Sequence, residues 1–279
     1  MQILICADET PIGEKALLYG VALASAARAD TVLLGIPTRS ASEPDVRALL
    51  GRAQETLGWR AEEHVRFGKP ANVILAEAEA GAYDLIVMGS RGRRGWQRVA
   101  FGSVAARLAR YSPIPVLIVK GERPTIRAVL ACTSGDVRGE RVARWGGQLA
   151  RWFNATSTIL HVMSQMPIAP DAKLDELEGT AEEAIAQHTR EGKHLQRELD
   201  LMRAHGTAAH MEPKIRHGLV LDEIVAEMRE GDYEVLVIGG HQTPDFGGSR
   251  SHLRDYLLED VADQIIMAVD RPVLVVKGK

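Results

Sequence analysis

The residues Gly89-Ser90-Arg91-Gly92, followed after nine more by Gly102-Ser103, have the types and spacing of a phosphate cradle. Gly89 and Gly92 allow a backbone to approach a ligand closely. Gly102, Ser103 and Val104 open a helix-like stretch reaching Arg110, whose free N–H groups and dipole favour an anion, and Ser103 adds a hydroxyl. Arg91, Arg93, Arg94 and Arg98 concentrate positive charge suited to a polyphosphate, with Arg91 between the loop glycines. Taken singly, each arginine suits a solvated surface equally well. A lone Gly-x-x-Gly is often an ordinary turn; two glycine pairs at this separation, directly after the apolar run Leu85 to Met88, are far more specific.

A loop of this kind needs a strand before it and a helix after it, and the chain supplies both twice. Ile3–Pro37 aligns with Val129–Met163 at a constant shift of 126, matching Cys6 with Cys132, Gly13-Glu14 with Gly139-Glu140 and Gly20 with Gly146. A second block aligns at a shift of 150, matching Arg66 with Arg216, Gly68 with Gly218, Glu77 with Glu227 and Tyr83 with Tyr233. Pro115-Val116-Leu117 then matches Pro272-Val273-Leu274. The chain is a tandem duplication. Short aliphatic runs alternating with amphipathic ones predict an α/β fold, a parallel sheet covered by helices on both faces. Strands are expected near Gln2–Ala7, Thr31–Ile36, Glu62–Arg66, Asp84–Met88 and Pro115–Lys120, then near Arg127–Thr133, Ser157–Val162, His210–Ile215, Glu234–Ile238 and Pro272–Lys277. Gly121-Glu122-Arg123-Pro124 punctuates the chain, giving domains at 1–121 and 126–279. The jump from 126 to 150 inserts 24 residues, mostly Lys173 to His205, where Thr180 and Glu183 form a capping box. This insertion reads as a longer second helix or as a lid or partner-docking helix.

Composition narrows the chemistry. A net charge of -3 and pI near 6.3 give no bulk attraction for nucleic acid or an anionic membrane. No apolar run approaches the roughly 20 residues that span a bilayer, and the first residues read as a strand, not a signal sequence, so a cytoplasmic location is expected. Cys6 and Cys132 occupy equivalent strands and read as buried thiols. There is no Gly-x-x-x-x-Gly-Lys-Ser/Thr loop and no Gly-x-Gly-x-x-Gly after the first strand. The histidines lack metal-ligand spacing, and no nucleophile, base and orienter can be grouped from order alone. Asp8 ends the first strand, where open α/β sheets bind ligands at a switch in strand order; as a bare residue it serves equally as a cap of the next helix.

The G-2x-G-9x-G-[S/T] pattern, with the duplication around it, resembles the universal stress protein family. The resemblance implies two flavodoxin-like domains, each with a five-stranded parallel sheet, and ATP held on the glycine loop with Mg2+ between phosphates. It assigns Asp8 to the nucleoside, although the family's usual Asp-Gly-Ser is here Asp8-Glu9-Thr10. Ile36 and Met88 take the positions that meet adenine, while Gly89, Arg91, Gly92, Gly102, Ser103 and Val104 take the phosphates. Ile36 and Met88 also suit ordinary core positions. The resemblance further implies an intramolecular pseudo-dimer through the two final strands, leaving a homodimer and a protein partner open, and a role as a nucleotide-dependent stress sensor or regulator. A nucleotide-independent interaction module and a slow ATPase are the alternatives. The second half is expected to bind no ATP: Ser134 replaces Asp8, Gln242 replaces Gly92, and Glu259-Asp260 replaces Gly102-Ser103.

Overall fold

The computed structural model describes the chain except residues 9, 39–41, 91–101, 122–124, 135–136, 164–178, 207–210, 241–260 and 278–279. Two compact units are present, Met1–Thr125 with Gly240–Lys279, and Ile126–Gly239.

The first unit is built on β1 (Gln2–Ala7), β2 (Asp30–Gly35), β3 (Glu62–Val65), β4 (Leu85–Gly89) and β5 (Val116–Val119), with the order β3-β2-β1-β4-β5. These five strands run parallel. Ile3, Leu4 and Ile5 are all 0% exposed, as expected where helices cover both faces of a parallel sheet. Order reverses at β1, which lies between β2 and β4 and so opens a crevice at its C-terminal end. Helix α1 (Pro11–Ala27) starts behind Thr10, whose Oγ1 accepts from the Gly13 N–H at 3.0 Å, and stops at Arg28 in the left-handed conformation. Helix α2 (Glu43–Leu57) starts at Ser42, whose N–H donates to Asp45 Oδ2 at 2.9 Å. Helices α3 (Pro70–Ala80) and α4 (Ser103–Tyr111) follow.

Residues 240–279 complete this unit. Strand β10 (Val273–Val276) runs antiparallel to β5, with Leu274 opposite Leu117, so the two final strands expected to pair do so. A further helix, α9, spans residues 261–268. Two lysines at equivalent strand ends make reciprocal contacts there. Lys120 Nζ donates to the carbonyls of Ile266 and, at 2.8 Å, Val269, while Lys277 Nζ donates to the carbonyl of Arg110 at 3.3 Å. Each thus satisfies carbonyls at a helix C-terminus, where a cation is favoured. Arg110 and Asp263 pair at 2.6 Å between α4 and α9.

The second unit holds β6 (Ala128–Thr133), β7 (Thr156–Met163), β8 (Met211–His217) and β9 (Val235–Gly239), parallel and in the order β9-β6-β7-β8. It carries α5 (Val137–Phe153), α6 (Ala181–Ala186), α7 (Arg190–His205) and α8 (Val220–Glu230). The extra residues do not lengthen the second helix: α7 stands where α2 stands in the first unit, and α6 is a separate short helix ahead of it. His188 turns the chain at φ 56°, and Thr189 caps a new start by accepting from the Gly192 N–H at 3.0 Å. The Thr180–Glu183 capping box is present at the start of α6.

A carboxylate held by cations and a tyrosine recurs at the shift of 150, partly buried in the first unit and buried in the second. Glu77 meets His64 at 2.5 Å, Arg66 at 3.2 Å and Tyr83 at 3.2 Å. Glu227, 1% exposed, meets Lys214 at 2.8 Å, Arg216 at 2.6 Å and Tyr233 at 2.8 Å. In both, burial raises the carboxyl pKa, but the hydrogen bonds and cations around it prevail and leave it lowered. The pairs fasten α3 and α8 to the strands beneath them.

Candidate functional site at the C-terminal edge of the first sheet

Asp8 follows β1 directly and is half-buried. Its Oδ1 accepts from the Thr10 N–H at 2.9 Å and from the Thr10 hydroxyl. The cap of α1 is therefore Thr10, and Asp8 stands one step behind it as a brace. This fixes the carboxylate over Gly13: a Cβ on Gly13 would lie 1.9 Å from Asp8 Oδ1 and 2.5 Å from the Asp8 carbonyl oxygen. Only glycine leaves room for the carboxylate at the mouth of the crevice.

On the next strand, Gly89 ends β4 against the same turn, where its Cβ would lie 2.9 Å from the Ile12 carbonyl oxygen. The close approach that requires glycine at 89 is thus to the start of α1. Asp8 thus faces Gly13, and Gly89 faces the preceding Ile12, at the first turn of α1. Met88 and Ile36, 5% and 6% exposed, are packed in the core at the ends of β4 and β2. Gly102 caps α4 with no side-chain hydrogen bond, in contrast to α1, and Ser103 is exposed. Val104 follows, half-buried, in the first turn. An α4 start without a side-chain acceptor suits an external anion. Arg91 and Gly92 lie outside the described residues, as do Arg93, Arg94 and Arg98, and in the second half Gln242, Glu259 and Asp260.

The thiol of Cys6 beneath this edge is no nucleophile, because burial, aided by the carboxylates of Asp8 and Glu77, pushes its pKa up. Among the described residues no group of three or more His, Cys, Asp or Glu side chains is placed to hold a metal ion. The residues present suit a nucleotide at this edge: a braced carboxylate, apolar strand ends and a helix start with no side-chain cap.

The universal stress protein family model matches residues 1–120 and again 125–277. The chain belongs to the universal stress protein family. A universal stress protein of Methanocaldococcus jannaschii is 36% identical over 97 residues, covering 31% of this chain and 57% of that protein. One of Mycolicibacterium smegmatis is 30% identical over 138 residues, covering 43% and 46%. The chain thus spans about half the length of the curated relatives it matches. The crystal structure of a universal stress protein from Archaeoglobus fulgidus aligns over 99% of this chain and 98% of its own, with a TM-score of 0.69 and 17% identity. A Pseudomonas aeruginosa structure aligns with a TM-score of 0.70 at the same identity, over 99% and 92%. Both likenesses speak to the fold, two flavodoxin-like domains in tandem. Among the described residues no helix is long and apolar enough to cross a membrane.

The family pattern marks Asp8 and the glycine loop but not the residues that shape the crevice. Thr10 and Gly13 set the position of the carboxylate, and the recurrence of Gly13 as Gly139 is the sequence signal for the latter. In the second unit the buried Glu198, which accepts from the Thr133 hydroxyl, carried no such signal.

Proposed function

We propose that the first unit binds ATP, with a divalent ion held between the phosphates, and that the chain is a nucleotide-dependent stress sensor or regulator of the cytoplasm. The observation that carries this reading is the braced carboxylate of Asp8 at the point where strand order reverses, beside the Gly89 end of β4. Asp8 would hold the nucleoside, Ile36 and Met88 would border the base, and Gly89, Arg91, Gly92, Gly102, Ser103 and Val104 would hold the phosphates. Family membership supports the stress role. Cys6 and Cys132, both buried and unpaired, fit a reducing compartment. In this reading residues 1–121 form the nucleotide-binding domain and 126–279 a second domain without ATP, as a pseudo-dimer within one chain.

Native mass spectrometry of the purified full chain, followed by calorimetric titration with ATP and Mg2+, tests this. One adenine nucleotide per chain is expected, with binding abolished by Gly102→Glu, which sets a carboxylate at the α4 start. Failure to bind ATP at millimolar concentration, or equal affinity in Gly102→Glu, would overturn the reading.

A further inference from the structure

Strand β3, at the edge of the first sheet, brings nothing to the core. Glu62, Glu63, His64 and Val65 are exposed or half-buried, and among the described residues the one strand beside them is β2. Glu62, His64 and Arg66 alternate along the chain and so share a face, the one turned to Glu77 of α3. His64 lies at the centre of that face. Its Nδ1 is 2.5 Å from Glu77 Oε1, and its Nε2 is 2.8 Å from Glu62 Oε1. An ionised carboxylate only accepts, so a ring with a carboxylate oxygen at each nitrogen is satisfied only when both nitrogens carry a proton. The arrangement requires imidazolium.

The duplicated cluster of the second unit is built without a titratable ring. At the shift of 150, Lys214 stands for His64 and donates to Glu227 at 2.8 Å. Arg216, which stands for Arg66, meets Glu223 and Glu230 as well as Glu227, whereas the first unit has Val73 and Ala80 at those two positions. Glu212, which stands for Glu62, accepts from the Thr158 hydroxyl at 3.1 Å. The second unit thus fastens α8 to β8 with two lasting cations, and the first fastens α3 to β3 with one lasting cation and one that can be lost.

We propose that His64 is a proton-operated fastener of the first unit: as imidazolium it ties β3 to α3, and its deprotonation as the pH rises loosens that edge while the second unit stays fastened. The proton that leaves is the one on Nε2, beside the 67% exposed Glu62. Nδ1–H stays on Glu77 as a neutral and therefore weaker donor, and the bare Nε2 lone pair opposes a carboxylate oxygen, so Glu62 turns out to solvent. Burial works against the charged ring, but the bonds to Glu62 and Glu77 outweigh it, with Arg66 opposing, and hold the pKa above the ordinary 6.5. The tie is therefore at full strength below pH 6.5 and is lost as the pH climbs through the raised value. Among the described residues the remaining neighbours do not titrate in that range. Burial and Glu77 push the Tyr83 hydroxyl up to about 12, and the β2 residue beside His64 is Leu34. Helix α2 packs on the opposite face, where the next residue, Gly35, meets Val46 and Leu50. The loosened edge adjoins the candidate site, because the Arg66 N–H donates to the Gly35 carbonyl at 3.1 Å, one residue before Ile36.

Hydrogen exchange of the full chain between about pH 6 and 9, corrected for the intrinsic rate of free peptide, provides the test. No nucleotide enters it, so its outcome is separate from the reading of the crevice. Protection of the α3 amides from Ile74 to Ala78 should fall by about fivefold or more across that range, while the α8 amides from Ile224 to Met228 hold within about twofold. His64→Lys, which copies the second unit, should give α3 the flat profile of α8. Glu62→Gln, whose amide can donate to a bare Nε2, should move the fall to lower pH. Parallel wild-type profiles in α3 and α8 would overturn the proposal even if neither variant folds. So would a fall in α3 that survives His64→Lys, or one that Glu62→Gln leaves at the same pH.

Discussion

Gly13→Ala offers a direct test of how Asp8 is positioned. The added Cβ would fall 1.9 Å from Asp8 Oδ1, 2.6 Å from its Cγ and 2.5 Å from its carbonyl oxygen, whereas real contacts of this kind essentially never fall below 3.0 Å. The carboxylate must withdraw by about 1.1 Å or more, and the 2.9 Å bond from the Thr10 N–H to Oδ1 cannot survive that shift. A hydrogen bond to a charged group contributes about 1.5–3 kcal/mol. Alanine in a helix returns about 1 kcal/mol relative to glycine. Net destabilisation should therefore be about 0.5–2 kcal/mol, read as a lowered urea midpoint at unchanged slope. If Asp8 holds the nucleoside, loss of a contact of that size weakens ATP by about 10- to 150-fold in calorimetry. Asp8→Ala should weaken ATP similarly, and the double variant should be no worse than either single one, because both remove the same interaction. Wild-type ATP affinity in Gly13→Ala, or two effects that simply add, would refute the reasoning.

Three further outcomes follow from the packing. Gly51→Ala in α2, where nothing lies within 4 Å of the new methyl, should stabilise by about 0.5–1 kcal/mol in urea denaturation. Glu227→Ala should cost about 1.5–3 kcal/mol, since it removes the 1% exposed acceptor shared by Lys214, Arg216 and Tyr233 while Arg216 keeps Glu223 and Glu230; a loss below about 1 kcal/mol would remove the cluster from the list of stabilising features. Burial holds the Lys120 ammonium at a pKa of about 8, against an ordinary 10.5, with Asp270 partly offsetting it. The unfolded chain then binds more protons between those values, so the contribution of Lys120 to stability rises as pH goes from about 8 to 10.5. Subtracting the profile of Lys120→Met should expose that rise, and identical profiles would dismiss it.

The strands were legible because parallel strands buried on both faces must be nearly continuous in apolar residues, as Ile3-Leu4-Ile5 and Leu85 to Met88 are. Their edges were less so. Asp84 reads as the first residue of a strand but lies outside β4, and its Oδ2 accepts from the Gln2 N–H at 2.7 Å, a tie across the sheet that no local pattern encodes. The insertion read as one helix because its apolar spacing continues past His188, whose positive φ leaves no mark on periodicity. At the site, Asp8 could be found because it lies five residues from the glycine it faces. Glu198 could not, because it meets Thr133 from 65 residues away, and between the two glutamates of α7, Glu191 and Glu198, nothing local distinguishes the one that turns inward.

The first unit is discontinuous, and synthesis of the chain gives that a temporal meaning. Once β5 has left the ribosome, its partner β10 lies 157 residues further on. At about 5–20 residues per second, β5 remains an open apolar edge for roughly 8–30 s, a template for any other strand in reach. During that interval the carbonyls of α4 also lack the Lys277 ammonium that later satisfies one of them. Nascent chains crowded on one message could therefore cross-pair, one chain's β5 with another's, and the waiting time set by the second half is a hazard that a shorter, separately encoded partner would lessen.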